Sequence, residues 1–518
     1  MIKIPSMLKK VSFTHVSYIA LISSLSGAAL MTVRFSNLIS LNEPLQITAS
    51  GAEYESLYVI WKYIQGLTIF VDHFRIPFAG TFYNWLYYAF YGELSGSILK
   101  ILDLTDSWIP TITKIITVIG LIYGTWITYL CFSLATPVSA NMARFNFSGA
   151  LFVFLGPLMG FFGLAAAPDV WALALEITAV YFFIKFYGVK PLTTICVVCI
   201  FTYLAWSFKQ IFVFTPGAIG IYLLLQWHWR QLALFSFIMV GLWAVTLFLG
   251  GQQYTDSMLM FGGTKITLDP DRLMRNIHNG FPKMLGPGLG LVGLALTMIL
   301  GQRTQPRGKY TPNNRTSVGL VRVLWLAICG IFIAGLITIP ASAKQGAAEN
   351  YYLTLSFFLT LLLVAGTAYC LERQKLGIIG LFFIAAGWTI NLLGVGSILL
   401  GVNGKLSNKY IHDDLITNRD CLVKMGLSEP VFVGNQYLAL PWMYPAQQHF
   451  VLQTSYHWDR EAGIEMEGNG LGGLMDSGYF ATLIIPGSDV SKFDGSDLKQ
   501  YQKFAHTCKG FTVFKRNQ

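Results

Sequence analysis

The run Leu232-Ala-Leu-Phe-Ser-Phe-Ile-Met-Val-Gly-Leu-Trp-Ala-Val-Thr-Leu-Phe-Leu-Gly250 carries no charged side chain. About 17–25 apolar residues cross the ~30 Å hydrocarbon core of a bilayer as a helix. Lipid offers no hydrogen bonds, so a segment inside it must satisfy its own backbone, which a helix does. Comparable runs recur near 17–36, 110–134, 147–165, 170–187, 191–207, 211–226, 287–301, 319–339, 351–371 and 376–400. With residues 232–250 they predict an all-α polytopic membrane protein of about 11 transmembrane helices. A composition of 54% hydrophobic and 12% charged residues excludes an ordinary soluble domain.

Lys and Arg mark the cytoplasmic loops of such proteins. From a cytoplasmic N-terminus bearing Lys3, Lys9 and Lys10, alternate loops hold Arg144, then Lys185 and Lys190, then Arg230. The next such loop holds Arg303, Arg307, Lys309 and Arg315, and the last holds Arg373 and Lys375. Of the fourteen acids before residue 403, only Glu372 falls among these loops. The pattern predicts a multi-pass protein of the plasma (inner) membrane with its N-terminus inside and its C-terminus outside. The first span has no Ala-x-Ala-type exit and reads as a retained signal anchor.

The net charge of +10 belongs to the membrane part, because residues 403–518 hold 11 basic and 12 acidic side chains. It reads as topology signal plus affinity for anionic headgroups, which makes membrane lipids an expected partner. No basic tract interleaved with aromatics points to nucleic acid. Residues 1–402 are expected to form the membrane domain, including a first outer loop at 37–109, and 403–518 a small extracytoplasmic α/β domain. In that tail, Pro430–Val433, Phe450–Leu452, Thr482–Ile485 and Phe511–Phe514 read as strands. Asp413–Gly426 and Asp494–Thr507 read as helices. Cys196 and Cys199 sit in an apolar span and read as buried thiols. Cys421 and Cys508 stand alone in the tail, where a disulfide is left open.

The first outer loop concentrates the acids: seven of the chain's 26 fall between Glu43 and Asp106. It reads Gly51-Ala-Glu53-Tyr-Glu55-Ser-Leu-Tyr58, then Val71-Asp72-His73-Phe-Arg75-Ile-Pro77, then Phe82-Tyr83-Asn84-Trp85-Leu-Tyr87-Tyr88. Carboxylates in an aromatic bed beside lipid are costly to desolvate. Glu53 and Glu55, two apart on a helix, face different ways, so one suits a general base and the other a solvated or structural role. Asp72 and His73 suit a shared metal or an acceptor, or Asp72 pairs with Arg75 as loop scaffolding.

Farther on, Asp169 after Pro168 opens a span, either as a helix cap or as a functional acid. Glu176 lies seven residues deeper on the same face. Lys209-Gln210 and the Lys344 to Asn350-Tyr351 segment are expected on the Glu53 side, where cations and amides hold phosphate or simply reach headgroups.

Taken in order, these motifs resemble the membrane glycosyltransferases of the GT-C superfamily that use polyprenyl-phosphate sugars, such as protein O-mannosyltransferases and aminoarabinose transferases. The resemblance rests on Glu53, Leu57-Tyr58, Trp61-Lys62, Gly66, Phe70-Val-Asp72, Pro77 and Tyr83-Asn84-Trp85. Pro168-Asp169, Lys209-Gln210 and Asn350-Tyr351-Tyr352 add shorter matches. The acid is Glu where the best-known members carry Asp, and Tyr54 follows where an Asp-Glu pair is common. The resemblance implies a GT-C-like bundle with Glu53 and Asp72 as catalytic residues. It implies that Tyr58, His73, Arg75, Tyr83, Asn84, Asp169, Lys209, Gln210, Lys344, Asn350 and Tyr351 bind substrate. The implied partners are a lipid-linked sugar donor and a lipid, glycan or protein acceptor, with metal use left open. A lipid or solute transporter is one competing class and calls for acids deep in the spans, of which Glu176 is the example. A membrane polymerase or ligase for surface polysaccharide is another, and its large outer loop usually sits late in the chain and uses Arg and His.

Overall fold

A computed structural model of the chain describes residues 12–38, 52–137, 139–259, 269–301, 314–344, 347–373, 375–402, 415–452, 454–461, 463–486, 496, 498–504, 508 and 510–517. Lys3, Lys9, Lys10, Arg303, Arg307, Lys309 and the expected start of the tail at residue 403 lie outside them.

Of the described residues, 72% are helical. In the first half run α1 (Phe13–Leu38), α2 (Ala52–Ile64), α3 (Trp85–Leu102), α4 (Ile109–Leu134), α5 (Ala140–Leu155), α6 (Asp169–Phe186), α7 (Pro191–Phe208) and α8 (Phe214–Leu225). Then come α9 (Trp229–Leu259), α10 (Pro270–Gly280), α11 (Leu285–Gly301), α12 (Asn314–Ser342), α13 (Leu353–Glu372) and α14 (Ile378–Leu399). Among the described residues, eight helical segments are long and apolar enough to cross a membrane: α1, α4, α7, α9, the α10–α11 run, α12, α13 and α14.

The difference from eleven has a local cause. Each of the other three apolar runs also forms a helix. At 16 residues, α5 rises about 24 Å, and at 12 residues α8 rises about 18 Å. With 18 residues, α6 is long enough, but Asp169, Glu176 and Lys185 interrupt its hydropathy.

Two compact units divide the chain. Unit 1 comprises Met1–Asn37, Ile115–Thr246 and Thr267–Lys409. Its α13 has 15 of 20 residues buried, whereas α9 leaves apolar side chains such as Phe237, Phe248 and Leu249 exposed. Helices approach closely where side chains are absent. A Cβ on Gly387 of α14 would lie 2.6 Å from the Gly286 carbonyl oxygen of α11, and one on Gly293 would lie 2.5 Å from Phe383. Such small-residue contacts are how helices pair where lipid supplies no hydrophobic drive.

Unit 2 comprises Leu38–Lys114, Leu247–Ile266 and Tyr410–Gln518. In it α3 crosses α2 where Gly92 meets Tyr63; a Cβ there would come 2.4 Å from the ring. The tail contributes α15 (Leu415–Lys424), α16 (Thr454–Glu461), α17 (Gly470–Asp476), β1 (Val431–Val433), β2 (Thr482–Pro486), β3 (Tyr501–Lys503) and β4 (Phe511–Arg516). The sheet has four strands in the order β1-β2-β4-β3, with β1 parallel to β2 and the other pairs antiparallel. Phe432, Phe450, Leu452, Tyr456 and Phe480 pack into its core together with Phe78 from the first loop. Cys421 and Cys508 form a disulfide.

Two tail expectations need correcting. Tyr501–Lys503 is a strand rather than helix, because it pairs with β4 at Tyr501↔Arg516 and Lys503↔Phe514; sheet pairing overrides the local pattern. Phe450–Leu452 is irregular, and its hydrophobicity reflects burial in the core rather than a ladder.

The α11–α14 contact is tested by Gly387→Ala. Its new methyl meets backbone that cannot rotate away, so we expect a fall of several degrees in Tm in detergent, whereas Gly396→Ala, in open space on the same helix, leaves Tm unchanged.

Candidate functional site

In unit 2, α2 opens Ala52-Glu53-Tyr54-Glu55, placing two acids in its first turn, where they oppose the positive end of the helix dipole. The Glu53 side chain is 1% exposed, and its Oε1 lies 3.4 Å from Nζ of Lys114, which is fully buried in the first turns of α4. Bringing two charges out of water is tolerable only when each compensates the other. Lys114 was missed in the sequence reading. The signal was available: a lone cation inside an apolar run is an intramembrane ionisable residue and demands a partner. Glu55, expected in water, is instead buried close to the Tyr88 phenol. The physical reason is that α2 packs on both faces, against α3 and against the tail, leaving no solvated side for it.

Tyr58 stacks on Trp61 with ring centroids 5.9 Å apart, and His449 of the tail stands edge-on to Trp61 at the same distance. Trp61 Nε1 and Gln65 Nε2 both donate to Asp106 Oδ2, at 2.8 and 3.2 Å. Burial pushes the Tyr58 phenol up to about 12 and pulls Lys62 down to about 8.

The Asp72 to Pro77 stretch divides its functional groups. Asp72 Oδ1 accepts from the Phe74 N–H at 3.0 Å, and Oδ2 pairs with Arg75 at 3.3 Å in an exposed turn. His73 turns the other way; its Nε2 lies 3.6 Å from Oδ2 of the buried Asp459 in α16. Burial lowers the His73 pKa, with Asp72 and Asp256 acting against it. The loop is stitched to the tail by two further bonds, Glu467 N–H to Phe74 O and Ile76 N–H to Glu467 Oε2, both 2.9 Å. Asp72 and His73 thus hold separate partners. Among the described residues no three His, Cys, Asp or Glu side chains are grouped as ligands of one ion.

Tyr83 and Asn84 lead into α3. The Tyr83 N–H donates to the Tyr88 hydroxyl at 3.2 Å. Asn84 is fully buried; its Oδ1 caps α3 through the Trp85 N–H and accepts from the Tyr254 hydroxyl.

In unit 1, Asp169 is the first residue of α6 rather than its cap, and its carboxylate serves side chains instead. Its Oδ1 accepts from Lys209 Nζ at 2.7 Å and from Asn350 Nδ2 at 2.9 Å, while Oδ2 accepts no hydrogen bond among the described residues. Lys209 Nζ also lies 5.6 Å from the centre of the Tyr351 ring. Four predicted residues from three separate segments therefore meet in one buried cluster. Gln210 follows Lys209 in the turn before α8, and Lys344 closes the turn after α12 by donating its N–H to Ala341 O. Glu176, fully buried, accepts from the Thr215 N–H at 3.0 Å and the Thr354 hydroxyl at 2.7 Å. Its carboxylate thereby satisfies an orphan donor at the start of α8.

Compared with family models and with curated proteins, the chain matches none of either.

Two outcomes follow from the burial in unit 2. Lys114→Gln leaves Glu53 uncompensated and is expected to cost about 3–5 kcal/mol, much of it recovered in the Glu53→Gln/Lys114→Gln pair; a double-mutant cycle on thermal unfolding measures this. Lys62, with its folded pKa below the unfolded value of ~10.4, makes the unfolded chain bind more protons between about pH 8 and 10. Stability is therefore expected to rise across that window. Lys62→Met is expected to flatten the rise and to increase Tm at pH 7, read from melts in detergent across the same range.

Proposed function

We propose that the chain is an inverting glycosyltransferase with a GT-C-like bundle of about eleven spans. It transfers a sugar from a polyprenyl-phosphate donor to a lipid, glycan or protein acceptor on the outer face of the membrane. The observation that carries the reading is the Glu53–Lys114 pair. It is a carboxylate kept dry at a helix start, charge-compensated and close to the Tyr437 phenol of the tail. A carboxylate so held is a general base whose orientation is fixed by its partner.

In the proposed reaction an acceptor hydroxyl or amine attacks the anomeric carbon. The bond from that carbon to the phosphate oxygen breaks with inversion, the acceptor proton passes to Glu53, and polyprenyl phosphate leaves. Phosphate is a competent leaving group, so no nucleotide is needed. Within unit 1, Lys209 is positioned by Asp169 and Asn350, an arrangement that suits an ammonium able to hold a phosphate. Asp72, held by Phe74 N–H and Arg75, orients the loop rather than moving protons. Glu176 accepts a hydrogen bond at each oxygen, from Thr215 and Thr354, which supports a structural part for it.

The test is reconstitution with a panel of polyprenyl-phosphate pentoses and hexoses and with lipid and peptide acceptors. Glu53→Gln is expected to lower transfer by about 10²–10⁴-fold. Equal rates for wild type and Glu53→Gln, both folded by their melts, would remove Glu53 as the base.

A further inference from the structure

We propose that unit 1 carries a binding site for the phosphodiester of an anionic membrane lipid, built around Arg322 where α6 and α8 end and α7 and α9 begin. It is independent of the transfer reading.

Arg322 enters from α12 and is only partly exposed. Its guanidinium lies against the turn between α6 and α7: a Cβ at Gly188 would come within 2.9 Å of both Nη atoms, so in this position the group uses the space that residue 188 leaves open. The same guanidinium stands 5.8 Å from the centre of the Tyr187 ring and close to the Tyr222 phenol from α8. Tyr187 is itself fixed, its hydroxyl 2.7 Å from Nδ1 of His228. An Arg reaching headgroup level by flexibility alone would be braced by none of these. Five donors in a planar fork match a phosphate.

The surroundings supply charge and depth. Lys185, Lys190 and Arg230 are exposed around the same helix ends, and neither 185–190 nor 226–230 contains an acid. Trp227 and Trp229 are 74% and 51% exposed, with rings 5.5 Å apart. Trp227 holds φ at 57°, a left-handed backbone rarely adopted by bulky residues, and this turn keeps its indole outside the bundle. Exposed tryptophans beside cations belong at the interface between headgroups and acyl chains. A lipid phosphate, tethered at that depth, meets the fork and the ring of lysines together. A soluble phosphate would gain nothing from the indoles.

The full-length protein in nanodiscs of equimolar phosphatidylglycerol and phosphatidylcholine tests this by native mass spectrometry of retained lipid. Each cation near a surface favours anionic lipid by roughly fivefold, so wild type is expected to retain phosphatidylglycerol over phosphatidylcholine by at least about that factor. Arg322→Gln is expected to lose most of the preference, and Lys424→Gln, in the tail, to keep it. Equal retention in wild type and Arg322→Gln, or no preference in wild type, overturns the site. Should Arg322→Gln fail to fold, the exposed double change Lys190→Gln/Arg230→Gln decides. A preference unchanged in that variant overturns the site, and a lowered one supports it. A separate arm adds inorganic phosphate to protein in pure phosphatidylcholine discs. If phosphate raises Tm there, while phosphatidylglycerol discs without phosphate melt no higher than phosphatidylcholine discs, the ligand is a soluble anion and the lipid assignment fails.

Discussion

Charge removed from water must be balanced where it lies, and the chain's most informative groups follow from that constraint. Glu53 and Lys114 have side chains 1% and 0% exposed. Within unit 1, Asp169 and Lys209 meet at 2.7 Å under similar burial. A buried pair adds little net stability over an apolar replacement, yet removing one partner is severe. What such a pair does is fix where a carboxylate or an ammonium stands. The same rule explains Glu176, whose balance comes from hydrogen bonds to Thr215 and Thr354 rather than from a cation.

Around Glu53 the first loop and the tail are one packed body. Phe78 joins the tail's core, Glu467 holds the backbone of Phe74 and Ile76, and Asp459 meets His73. Tyr437 and His449 then reach the aromatic face of α2. The tail therefore shapes the surroundings of Glu53 directly.

Helix packing in unit 1 follows from what is missing as much as from what is present. Glycines on α11 and α14 let backbone approach backbone, and Gly188 lets Arg322 settle on a turn. Short α5 and α8 and the charge-bearing α6 belong to the same set of apolar runs as the longer spans, although neither length nor hydropathy alone makes them crossings.

Membrane insertion, the positions of the apolar helices and the crowding of acids before residue 107 were determined by amino-acid order alone, because hydropathy is summed along contiguous residues. Asp169, Lys209, Asn350 and Tyr351 were legible as candidates for a similar reason: polar groups at the ends of apolar runs stand out locally. Only the tertiary structure decided their partners. Lys114 with Glu53, Asp459 with His73, and Thr215 with Glu176 join segments far apart in the chain, and no local pattern encodes which of several buried groups will meet. Glu55 shows the limit in the other direction: its exposure depended on what covers α2, which two separate elements supply. Strand pairing is equally nonlocal, which is why Tyr501–Lys503 read as helix and folded as the edge of a sheet.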